Sequence, residues 1–97
     1  MSGVNYMNLS QIRRQRARLS VSRNEYEGIC NLLGRAKLKT TIDDRCIEFY
    51  NGGEKPVARM SRHSTRAEVM KCACCDDTQA ASIESGLKTA GYVVTRC

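Results

Sequence analysis

Residues 21–37, VSRNEYEGICNLLGRAK, decide how the rest of the chain is read. Ser22 followed by Glu25 is a capping box, in which each side chain satisfies a backbone N–H that the first helical turn leaves free. Val21 before the cap and Tyr26 after it are spaced for a hydrophobic staple. Tyr26, Ile29, Cys30, Leu33 and Ala36 follow at helical spacing and make one apolar stripe, while Glu27, Asn31 and Arg35 face away from it. A helix with one apolar stripe needs a partner surface, so the neighbouring segments must supply one.

Upstream, Asn8 to Leu19 reads as a first helix, with Asn8 as its cap and Gln11 three residues on. Leu9, Ile12 and Leu19 share a narrow apolar side along which the stem of Arg16 also lies. Arg13, Arg14 and Arg18 point elsewhere. Residues 1–7 carry no structural signal and are expected to be disordered.

Downstream, Thr40, Thr41 and Ile42 are β-prone and Asp43-Asp44 reads as a turn. Cys46–Tyr50 and Pro56–Met60 read as a hairpin around Asn51-Gly52-Gly53-Glu54-Lys55. Ile47 and Phe49 share one face of it; Cys46, Glu48 and Tyr50 share the other. Glu68–Cys75 alternates as a third strand. Asp76-Asp77-Thr78 starts a last helix through Ala80, Ile83 and Leu87, with Gly91 just past its end. Tyr92, Val93 and Val94 form a short final strand. The expected fold is one small α+β domain over 1–97. It has two N-terminal helices, a three-stranded antiparallel sheet with a β-hairpin, a C-terminal helix and a short final strand.

Ile47–Met60, IEFYNGGEKPVARM, resembles the hairpin of Phd/YefM-type antitoxins, where a Gly-x-Pro-Val-Ala run follows a β strand. The flanks depart from that family: its amino-terminal strand is missing and a Cys-rich strand follows. No function is carried over from the resemblance.

The chemistry-bearing residues point to binding rather than catalysis. The net charge is +6, and the first 24 residues hold Arg13, Arg14, Arg16, Arg18 and Arg23 with no acid. The basic character therefore belongs to the amino-terminal arm, and such asymmetry suggests a polyanionic partner or an acidic protein surface. Arg59, Arg62 and Arg66, with His63, form a second basic group. If the two groups converge, they neutralise several phosphates. The chain has a single histidine and no phosphate-binding glycine loop, and its paired carboxylates sit at a turn and a helix start. It is read as no enzyme.

The six cysteines are expected to pack as small hydrophobes. A zinc site would have to be drawn from Cys72, Cys74, Cys75, Cys97 and His63, but Cys-x-Cys-Cys lacks the two-to-four-residue knuckle that places two ligands over a turn. No other cofactor is indicated.

The opening residues lack the apolar core of a secretory leader, and no run reaches the ~20 apolar residues of a membrane span. A cytoplasmic location and no membrane partner are expected. With no Trp and one Phe the core is modest, so a homo-oligomer fits the composition. The leading expectation is a small basic accessory or regulatory protein that binds nucleic acid or a nucleic-acid-handling complex. The alternative is an inhibitor or adaptor of the phage or mobile-element type that binds a host protein. A structural zinc module comes third.

Overall fold

A computed structural model describes residues 5–36 and 38–97, the side chains of 35 and 36 apart. The expectations for Arg35 and Ala36 as stripe and outer-face residues lie outside the described residues. Three helices and five strands follow in the order α1 (Leu9–Leu19), α2 (Arg23–Ala36), β1 (Lys39–Ile42), β2 (Cys46–Tyr50), β3 (Ala58–Ser61), β4 (Arg66–Val69), a 3-10 turn (Lys71–Ala73), α3 (Asp77–Thr89) and β5 (Val93–Arg96). The class is α+β.

Both N-terminal caps form as the local chemistry requires. The Ser22 amide donates to Glu25 Oε1 (2.8 Å) and the Glu25 amide donates to Ser22 Oγ (3.2 Å). Asn8 and Gln11 make the same reciprocal pair at the start of α1. Ser20 closes α1 in the left-handed region (φ 52°), which turns the chain directly into α2. The buried side of α2 is broader than the expected stripe, because Leu32 is buried beside Ile29 and Leu33.

The sheet is larger than the expected three antiparallel strands. Its order is β1-β2-β3-β4-β5, antiparallel from β1 to β4, with β5 parallel to β4. A parallel neighbour needs a crossover, and α3 supplies it. The third strand ends at Val69 rather than Cys75, since Met70 leaves the ladder and Lys71–Ala73 winds into a 3-10 turn. The second hairpin strand starts at Ala58, two residues later than expected, because Val57 closes the wide loop by donating to the Phe49 carbonyl (2.8 Å). Nor are residues 5–7 loose: Met7 exchanges both backbone hydrogen bonds with Thr40 (2.8 and 2.9 Å), and Tyr6 meets Tyr50 edge to face.

Thr40, Ile47, Phe49, Ala58, Met60, Ala67 and Val69 line the buried face of the sheet. They meet Ile12 of α1, Ile29 and Leu32 of α2, and Ala80, Ile83 and Leu87 of α3 in one core. The helices thus cover one face, and the other carries Thr41, Glu48, Arg59, Glu68 and Thr95 in one rung across all five strands. α2 and α3 approach closely at Gly86, where Asn31 Nδ2 donates to the Gly86 carbonyl (3.2 Å).

Candidate functional site

α1 packs on the domain through Ile12, helped by Leu9 and Leu19, and this fixes which residues it shows to solvent. Ser10, Arg13, Arg14, Ala17 and Arg18 are all exposed. By the 100° step of the helix, Arg13, Arg14 and Arg18 fan across the outer face with Ser10 and Ala17 between them. The helix has no acidic residue. Among the described residues, no carboxylate lies within ion-pair distance of Arg13, Arg14, Arg18, Arg23 or Arg66. Arg14 and Arg18 are one turn apart, a like-charge spacing that costs an isolated helix roughly 0.2–0.5 kcal/mol. Arg18 also faces the helix C-terminus, where the dipole favours a cation; Arg13 and Arg14 have no such local reason.

Arg16 is held differently. Its guanidinium lies over the Tyr26 ring, 4.2 Å from the centroid. That contact fastens α1 to α2 and is worth about 0.5–1 kcal/mol at an exposed site.

The second basic group joins the first only in part: Arg62 and His63 share a cleft with Arg18, while Arg59 and Arg66 line another on the open sheet face. Arg62 is a tie between elements. Its Nε donates to Glu25 Oε2 (2.7 Å), Nη1 to the Asp43 carbonyl (2.9 Å) and Nη2 to the Ser20 carbonyl (3.3 Å). Burial pushes the Glu25 carboxyl up, but the Ser22 amide and the Arg62 guanidinium outweigh it and hold the pKa below the ordinary value. Asp43 is held low by the amides of Cys46 and Arg45. Arg59 belongs to the open sheet face, where it bonds Glu48 (2.8 Å) and lies 3.9 Å from Glu68. The hydrogen bond to Glu48 raises its pKa further. Arg66 stands on that same face, away from α1.

Two clefts border these residues. One, of about 720 Å³, lies at the α1–α2 joint and is lined by Arg18, Ser22, Glu25, Asp44, Arg62 and His63. His63 Nε2 sits 2.9 Å from the Asp44 carbonyl there. The other, of about 220 Å³, lies on the open sheet face among Arg45, Arg59, Arg66 and Glu68. Arg45 follows Asp43-Asp44 and looks like an ordinary turn residue in the sequence; the fold brings it into one cleft with Arg66.

The zinc candidates do not assemble. Among the described residues no three His, Cys, Asp or Glu side chains gather as a metal site, and His63 faces the α1–α2 joint. Cys74 tucks against the Met70 carbonyl, and the Cys97 thiol donates to Glu68 Oε2 (3.0 Å). Burial raises the pKa of the Cys46 and Cys74 thiols, and the Glu68 hydrogen bond raises that of Cys97. Each shift lowers the thiolate fraction and so the nucleophilicity.

No helix among the described residues is long and apolar enough to cross a membrane. Comparison of the chain with known protein families, with curated proteins and with solved structures found no match. The antitoxin-like hairpin thus remains a local similarity.

Proposed function

We propose that this is a small non-enzymatic accessory or regulatory protein of the cytoplasm that binds nucleic acid through the outer face of α1. The observation that carries the reading is the set of Arg13, Arg14 and Arg18, exposed, unpaired among the described residues and undiluted by any acid on the helix. Arg23, exposed at the start of α2, is a further cation without an ion-pair partner among the described residues. Eleven helical residues span about 16 Å, enough to track a few phosphates along a backbone or groove. The exposed face carries no aromatic side chain, so backbone contact fits it better than base stacking.

The test is fluorescence anisotropy with labelled duplex and single-stranded DNA and RNA across a salt series. Three to four phosphate contacts give a slope of log K against log salt near about −3 on duplex DNA. The triple variant Arg13→Glu, Arg14→Glu, Arg18→Glu is expected to abolish binding at low salt while keeping the fold. Binding that is absent at low salt, or unmoved by the triple variant, ends the reading.

The second reading is an inhibitor or adaptor of the phage type that lays the same face on an acidic surface of a host protein. Ser10 and Ala17 favour it, because small side chains between the arginines allow a flat partner to approach closely. A stoichiometric partner that survives nuclease treatment, and is lost in the triple variant, selects it over nucleic acid.

A further inference from the structure

The two edges of the sheet are treated differently. β1 is partly covered, since Met7 takes up the outward N–H and C=O of Thr40. β5 has β4 on one side and, among the described residues, nothing on the other. The amides of Val93 and Cys97 donate to the carbonyls of Thr65 (2.7 Å) and Val69 (2.9 Å). By the alternation of a strand, the N–H and C=O groups of Val94 and Arg96 point outward.

Natural sheets blunt such an edge by keeping it very short, or with proline, a bulge or a charged side chain, lysine above all; β5 is four residues long. β5 has neither proline nor lysine, and its register with β4 runs unbroken. Its one charge, Arg96, is drawn back onto α3 by Glu84 (2.6 Å). Val93, 65% exposed, is a large apolar side chain left in solvent on this same strand.

We propose that β5 pairs antiparallel with β5 of a second copy about a two-fold axis through Thr95, doubling the sheet. The register follows from the outward groups. Centred on Thr95, Val94 and Arg96 exchange backbone hydrogen bonds with Arg96 and Val94 of the second copy, and no outward group in this stretch stays open. On the open face Thr95 meets its own symmetry mate and Val93 meets Cys97, pairs of the β-branched and apolar kind that stabilise a ladder. On the helix face Arg96 lies opposite Val94, so like charges are never set against each other.

The flank beside the strand suits the same occupant. A groove of about 350 Å³ follows it, lined by Ala81, Glu84, Ser85, Lys88 and Arg96. The small residues let a second α3 come close, and the groove carries both signs of charge. Residues 76–97 hold Asp76, Asp77 and Glu84 against Lys88 and Arg96, so this flank is near neutral in a protein of net charge +6. In the helix layer α1 contacts α2, and α2 contacts α3. The arginines of α1 are thus held away from the pairing edge, and two copies meet there without strong repulsion.

Analytical ultracentrifugation of the full chain, in reductant and at physiological salt, tests this. The mass is expected to rise from 10.9 kDa toward twice that value between micromolar and near-millimolar protein. Thr95→Lys sets two ammonium groups face to face at the axis and should weaken the dimer at least about tenfold, with an unchanged thermal melt at low concentration. Arg96→Pro removes an outward N–H that the single copy does not use and should weaken the dimer as well, at the cost of the Glu84 ion pair within each copy. A single-chain mass at the highest concentration overturns the proposal. So does a dimer that tolerates Thr95→Lys.

Discussion

Arg62 is the residue on which the domain's joints converge. Its side chain is 16% exposed and that of Glu25 9%, so neither charge is well hydrated by itself. Replacing Arg62 by Met leaves a nearly buried carboxylate without its cation, and stability should fall by about 2–3 kcal/mol at neutral pH. The Glu25 pKa is depressed in the folded protein. Its stabilisation is therefore complete above the ordinary carboxylate value and lost as the pH falls through the folded one. Urea melts should accordingly show the gap between wild type and Arg62→Met closing as the pH falls below the ordinary carboxylate value and through the lower folded one. Arg13→Ala, whose side chain has no partner among the described residues, should leave the melt within about 0.5 kcal/mol of wild type. This contrast was hidden in the sequence. An arginine beside a histidine in a polar connector reads as a ligand for an anion. What makes Arg62 structural is a glutamate 37 residues away that only the packed fold brings within reach.

Local chemistry was legible at the level of elements, and long-range pairing was not. The caps at Asn8 and Ser22 rest on contacts three residues apart, so sequence spacing specifies them. The alternation of Ile47 and Phe49 likewise announced a half-buried strand. Glu68–Cys75 alternates just as well, yet only its first two residues stay in the ladder. The chain must leave the sheet there to begin the crossover, and no local signal marks that point. The parallel partnership of β4 and β5 is non-local in the same way. Two glycines put the helix packing to the test. A Cβ on Gly34 meets nothing within 4 Å, so Gly34→Ala should stabilise by up to about 1 kcal/mol in chemical denaturation. A Cβ on Gly86 would come within 2.9 Å of Leu32 Cδ2, itself buried. Gly86→Val should push α2 and α3 apart and cost about 2 kcal/mol by the same measurement.

For the whole molecule, the acid-free basic helix and the proposed pairing edge are segregated: four of the eleven arginines lie on α1, and the open strand and near-neutral groove lie at β5. Of the arginines expected to dock a partner, Arg13, Arg14, Arg18 and Arg23 are exposed and have no ion-pair partner among the described residues, while Arg59 and Arg62 are taken up by the chain's own carboxylates. Two copies joined at β5 would present two α1 faces to a long polyanion, and Thr95→Lys should then weaken binding to long duplexes more than to short ones. The rung between Met7 and Thr40 bears on how far such joining proceeds. A protomer with one adhesive margin stops at a closed pair, whereas one with two propagates into fibrils. Cutting the chain after Met7 would bare the second margin, and the trimmed protein should scatter light and take up thioflavin at concentrations where the intact one stays clear.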